Sequence, residues 1–157
     1  MHKNASDSAL ADLSFVVPSI NGEGRLLFIC RWLASCGFEG EYIIVDGSKE
    51  NKHTAILGFP FAKYLHKPGT DTIQAITMGV QSASRGFIAI LGDDDVPLLK
   101  GYNKCLTALS ARPNYGSARG FASYFNFDKI SVRGIVDILG LFADVVLSSR
   151  YDRDVDL

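Results

Sequence analysis

The sequence predicts an α/β domain: a mostly parallel sheet with helices on both faces. Three observations carry this. Short runs of β-forming residues recur near positions 13–17, 42–45, 61–66 and 87–92. Between them lie segments with apolar residues at helical spacing. The joins are short and rich in Gly, Pro, Asn and Asp, which is turn chemistry. Strand–helix alternation of this kind makes neighbouring strands parallel, with an expected strand order of 3-2-1-4.

The elements follow in chain order. Residues 1–12 are polar and read as a flexible N-terminal tail, and residues 13–157 as a single domain. Leu13-Ser14-Phe15-Val16-Val17 is the first strand, expected to stop at Pro18. Ser19-Ile20-Asn21-Gly22-Glu23-Gly24 is a loop. A helix over 25–35 carries Leu26, Leu27, Cys30, Leu33 and Ala34 on one face, and Gly37 ends it. Tyr42-Ile43-Ile44-Val45 is the second strand, and it ends in Asp46-Gly47-Ser48. A short helix is expected over 50–57, a third strand over 61–66 and a helix over 71–83. Phe87 to Gly92 is the fourth strand, apolar enough to suggest burial on both faces. Residues 98–111 read as a helix ended by Arg112-Pro113-Asn114. Residues 115–127 contain a candidate fifth strand, and 130–147 a helix weakened by Gly134 and Gly140.

Composition narrows the function. At 157 residues, 47% hydrophobic and 21% charged, the chain can bury a core. Its net charge of −1 gives no basic surface for nucleic acid. The N-terminus lacks the apolar core of a signal peptide, and no stretch is long and apolar enough for a transmembrane segment. The three cysteines, Cys30, Cys36 and Cys105, lack metal-ligand spacing; they read as reduced and mostly buried, in a cytoplasmic protein or one peripheral to the membrane.

The chain is organised around Ile88-Ala89-Ile90-Leu91-Gly92-Asp93-Asp94-Asp95. An apolar strand running into three carboxylates is expected at the carboxyl edge of a parallel sheet, where such folds bind ligands. Strand alternation would turn Asp93 and Asp95 to one side. Three acids together call for a positive charge, and a divalent cation carrying phosphates supplies one. The plainer reading is a solvated turn, or a cap for a helix near Pro97; one acid suffices for a cap.

Phe15-Val16-Val17-Pro18-Ser19-Ile20-Asn21, Tyr42-Ile43-Ile44-Val45-Asp46-Gly47-Ser48, the small residues Ala75 and Gly79, and the acid segment 88–95 come in an order and spacing that resembles the family 2 glycosyltransferases. The resemblance covers roughly residues 13–97 and is loose beyond. It implies a GT-A fold, a Rossmann-like three-layer nucleotide-binding sandwich. It also implies a metal-dependent enzyme that moves a sugar from a nucleotide-sugar donor, usually a UDP-sugar, to a hydroxyl of a saccharide or lipid-linked acceptor, with inversion. Pro18, Ser19 and Asn21 would border the nucleotide, Asp46 would meet the base, and Asp93 or Asp94 would lie near the ribose. Asp93 and Asp95 would hold Mn²⁺ or Mg²⁺. The family's catalytic base maps to no motif here; Asp144, Asp152, Asp154 and Asp156 are the acids available. Residues 98–157 would form only a partial acceptor side, so the chain is expected to bind donor but to transfer weakly. A non-catalytic nucleotide-sugar-binding module is the alternative.

Other residues have plainer readings. Asp46 also fits an Asx turn with Gly47-Ser48. His66, Lys67 and Arg119 could reach a phosphate, though a surface role or a salt bridge explains them as well. Trp32, Tyr124, Phe125 and Phe127 offer rings to a sugar, but core packing is the default for each.

Overall fold

The computed structural model describes residues 9–51 and 54–120. Within these the chain divides after Pro97 into two compact units.

The first unit is built on four strands, β1 (Leu13–Ser19), β2 (Glu41–Asp46), β3 (Ala62–His66) and β4 (Phe87–Ile90). They pair in the order β3-β2-β1-β4, every pair parallel, as the alternation requires. Two helices belong to this unit, α1 (Glu23–Ser35) and α2 (Thr72–Ser82). The register aligns Phe15 with Tyr42 and with Ala89, and Val16 with Ile43 and with Ile90. Successive strand residues face opposite ways, so these are the two faces of the sheet. Helix α2 covers the Val16 face so closely that a Cβ on Gly79 would lie 2.3 Å from Val16 Cγ1. On the other face the ring of Phe38 packs against Phe15, centroids 5.3 Å apart. Phe15, Val16, Val17, Tyr42, Ile43, Ile44 and Val45 are fully buried. Each such apolar side chain contributes roughly 1.5–3 kcal/mol, which makes β1 and β2 the core.

Local chemistry sets the helix ends. Gly37 adopts φ 66°, its N–H donates to the Ala34 carbonyl, and the Phe38 N–H donates to the Leu33 carbonyl. This left-handed cap ends α1 and turns Phe38 onto the sheet. At the start of α2, Gln74 N–H donates to Asp71 Oδ1 at 2.8 Å while Gln74 Oε1 accepts the Asp71 N–H at 3.1 Å, a reciprocal capping box.

The structure departs from sequence expectation in several places. Strand β1 continues through Pro18 to Ser19, paired there with β2 alone. Strand β4 is an edge of the described sheet, and Ile88 and Ile90 are 44% and 54% exposed, because α2 lies over β1 and β2 instead. Its apolar run therefore does not mark burial on both faces. The expected helix over 50–57 is a 3-10 turn, Thr54–Gly58. Ala9–Asp12 form a 3-10 turn rather than loose tail, and Asp12 accepts the Gly86 N–H at 2.7 Å. Cys30 is buried, Cys105 is half-buried and Cys36 is exposed; all three are free thiols.

In the second unit, helix α3 (Leu99–Ser110) starts from Leu98 without a side-chain cap, so the acids do not cap it. Residues 115–120 form no strand. The rest of the candidate fifth strand, the helix expected over 130–147, and Asp144, Asp152, Asp154 and Asp156 lie outside the described residues. No helix among the described residues is long and apolar enough to cross a membrane.

Candidate functional site at the carboxyl edge of the sheet

All four strands run the same way, so their carboxyl ends share one rim. Residues adjacent in space there come from distant parts of the sequence: Ser19 is the register partner of Asp46, and Asp46 of His66. The connection from β1 leads toward β2 on one side, while β4 lies on the other. The gap between β1 and β4 is therefore the topological switch point, where open parallel sheets bind ligands. A groove of about 360 Å³ opens there. Its walls are Pro18, Ser19 and Ile20 at the end of β1, Gly92, Asp93 and Asp94 after β4, Arg25 from α1, and Thr70 to Thr72 with Ala75 at the start of α2.

Strand alternation does not govern the acids, because β4 ends at Ile90. Residues 92–95 form a tight turn: Asp95 N–H donates to the Gly92 carbonyl at 3.3 Å, and Asp95 Oδ2 accepts the Gly92 N–H at 2.8 Å. The three carboxylates differ in their partners. Asp93 turns inward and accepts from Ser19 Oγ at 2.6 Å, Arg25 Nη2 at 2.9 Å and Arg25 Nε at 3.2 Å. Asp94 is exposed and forms no hydrogen bond with a described residue, and Asp95 keeps Oδ1 open.

Arg25 is the residue that sequence reading missed. Its fork-shaped guanidinium gives Asp93 the positive charge that the acid cluster needs. The hydrogen bond to Asp93 raises the Arg25 pKa above its ordinary value, so the guanidinium stays charged. The available signal was position: Arg25 opens the first helix beside a rim predicted to hold three acids. Gly22 makes the arrangement possible, since a Cβ there would lie 2.3 Å from Ser19 Oγ and 2.5 Å from Asp93 Oδ2.

Asp46 sits on the same rim but is buried, with 0% exposure. Its Oδ1 accepts the Ser48 N–H at 2.9 Å and the Ser48 hydroxyl, and its Oδ2 accepts the Tyr64 hydroxyl. This is Asx-turn geometry reinforced from β3. Burial and then the Asp46 carboxylate push the Tyr64 phenol above its ordinary range. Ser48 Oγ also accepts the Asn21 N–H at 2.8 Å and so holds Asn21 at φ 55°, a conformation Asn tolerates. Asn21 and Asp46 are thus linked through Ser48, and neither lines the groove that Pro18, Ser19, Asp93 and Asp94 share. His66 Nε2 meets the Ser48 carbonyl at 2.8 Å and its ring stacks on Tyr64. Trp32 Nε1 donates to the Pro97 carbonyl at 3.1 Å, which is a structural role. Arg119 lies in the second unit.

A hard cation takes oxygen ligands, and Mg²⁺ typically uses one or two carboxylates with substrate phosphates. Asp94 and the open oxygen of Asp95 fit that pattern. Asp93 fits only by leaving Arg25. Among the described residues no group of three or more His, Cys, Asp or Glu side chains is gathered as a metal shell. Compared with known proteins, the chain matches no family model and no curated protein sequence.

Proposed function

We propose that this chain binds a nucleotide-sugar, a UDP-sugar being the expected donor, in the groove between β1 and β4, and belongs with metal-dependent, inverting glycosyltransferases of the GT-A type. One observation carries the reading: Ser19, Arg25, Asp93 and Asp94, from three separate segments, converge on the crevice at the switch point of a parallel sheet. The all-parallel sheet and the order of motifs over residues 13–97 support it.

In this reading Pro18 and Ser19 border the nucleotide. Arg25 offers two donors to a phosphate, and Asp94 with Asp95 would hold Mn²⁺ or Mg²⁺. A bound cation of that kind supplies neutralising charge to a diphosphate leaving group. Asp46 keeps the β2 end in shape, through Ser48 and Tyr64. The acceptor would be a saccharide or lipid-linked hydroxyl, attacking the anomeric carbon as the bond to diphosphate breaks, with its proton passing to a carboxylate.

A second reading, donor binding without transfer, is favoured by the state of the groove's own acids. Asp93 is held by Arg25 and Ser19, and Asp71 caps α2, which leaves Asp94 as the uncommitted carboxylate in the groove.

Calorimetric titration with nucleoside diphosphates, with and without Mn²⁺, tests the reading. UDP is expected to bind with Mn²⁺ and to lose affinity in chelator. Asp95→Asn should weaken the metal-linked binding while leaving the fold intact, because an exposed side chain carries little packing. UDP binding that ignores both chelator and this substitution would refute the metal-dependent site.

A further inference from the structure

The groove has an unbalanced set of charges. Among the described residues that line it, Asp71, Asp93 and Asp94 are acids and Arg25 is the cation. Arg25 is spent on Asp93 through two nitrogens, yet the guanidinium side chain is 50% exposed while Asp93 is 15% exposed. The pair therefore sits at the groove lip with its carboxylate inward and its cation outward.

We infer that Arg25 is a partner-switching residue: it neutralises Asp93 while the groove is empty, and transfers its hydrogen-bonding fork to a diphosphate when one enters with a divalent cation. This rests on the nucleotide-sugar reading above and adds a residue that the resemblance does not assign. The chemistry is an exchange of like for like. A phosphate presents oxygens at the spacing a carboxylate does, and a guanidinium binds either through two parallel N–H bonds. The exchange needs a replacement charge for Asp93, and the entering cation is that replacement. Ser19 Oγ donates to Asp93 Oδ2 at 2.6 Å, a bond the exchange does not require to break and which would hold the carboxylate in place as its partners change. Arg25 thus opposes the cation when the groove is empty and assists the nucleotide when the cation is present.

Those two roles have opposite signs, and the test reads both. The full chain is titrated with MnCl₂ alone, and then with UDP at saturating Mn²⁺, as wild type, Arg25→Ala, Arg25→Lys and Arg31→Ala. Arg31 is an exposed α1 residue outside the groove and controls for lost net charge. Arg25→Ala should bind Mn²⁺ about threefold more tightly or better, since a cation beside the acids is gone. The same variant should bind UDP about tenfold to a hundredfold more weakly, the usual cost of a charged hydrogen-bonding pair. Arg25→Lys keeps the charge but not the fork and should fall between, and Arg31→Ala should leave both affinities within about twofold. A merely structural Arg25 would weaken both affinities together, and that result overturns the inference. Unchanged UDP affinity in Arg25→Ala, with wild type binding normally, overturns it while the nucleotide reading stands. Wild type that binds no UDP at all overturns both. Where circular dichroism shows that Arg25→Ala is unfolded, Arg25→Lys decides: at least a threefold loss of UDP affinity supports the switch, and none refutes it.

Discussion

Gly79 of α2 packs directly against Val16 of β1, and their coupling gives a prediction with a change of sign. An alanine at 79 would place its Cβ 2.3 Å from Val16 Cγ1 and 3.5 Å from Val16 Cβ. The first distance is impossible without movement and the second is ordinary contact. Val16 has 0% exposure and pairs on both sides within β1, so it cannot retreat. Forcing a methyl into such a site costs about 1–3 kcal/mol. Replacing a mid-helix glycine by alanine returns about 1 kcal/mol. Gly79→Ala alone should therefore destabilise by up to about 2 kcal/mol. Val16→Ala removes both γ-methyls and should cost about 2–3 kcal/mol in lost burial and cavity. In that background the obstacle is gone. Gly79→Ala should then stabilise, by about 1 kcal/mol from helix propensity plus about 0.8 kcal/mol for a newly buried methyl. Urea unfolding of the four proteins, followed by circular dichroism, measures the cycle. Gly79→Ala having the same effect with Val16 present or absent, or stabilising the parent, would refute the steric coupling.

Three further outcomes are expected. Gly22→Ala should break the Ser19–Asp93 hydrogen bond by intrusion and cost about 2 kcal/mol at this helix cap, and a Ser19→Ala background should reduce that cost; equal unfolding midpoints for Gly22→Ala and wild type would contradict it. The Tyr42 hydroxyl is buried without a hydrogen-bond partner among the described residues, so Tyr42→Phe should leave thermal stability unchanged or raise it by up to about 1 kcal/mol, and a loss would show that the hydroxyl is engaged. Burial tends to raise the Glu41 pKa, but hydrogen bonds from Ser84 and Ser14 outweigh it and hold the carboxyl below its ordinary 4.5. A lowered folded pKa adds stability that is present above the unfolded value and lost as pH falls through the folded one. Glu41→Gln should therefore flatten the stability–pH curve below about pH 4.5, and an unchanged acid limb would count against this account.

Local pattern revealed much of the sheet. Alternation of strand and helix was enough for a parallel sheet, the shared strand-end position of the acids motivated the order 3-2-1-4, and Gly37 marked the end of α1. The strand-end rule brought Ser19, Asp46 and the acids to one rim. What escaped was non-local. Arg25 finds Asp93 across 68 positions, and its place at the start of the first helix was the one signal for it, since its immediate neighbours read as those of a solvated helix residue. Ile88 and Ile90 escaped for another reason. A run that is apolar at every position carries no alternation, so it cannot say that one face stays open at an edge. Asp46 too has a distant partner, the Tyr64 hydroxyl from the next strand, which its local Asp-Gly-Ser context does not announce.

Pro18 has a consequence for the mouth of the groove. The Val16 carbonyl pairs toward β4, accepting the Leu91 N–H at 3.0 Å, and the Ser19 carbonyl pairs toward β2. Backbone polarity alternates along a strand, so position 18 would offer its next donor to β4, and an imino acid has none to offer. The next rung between the two strands therefore lacks its donor from β1. The cleft is held open by covalent structure, like a seam with a tooth removed, and no binding energy is spent on parting them. A residue with an N–H at position 18 would let the seam close by one rung and narrow the entrance without altering any side chain that lines the rest of it.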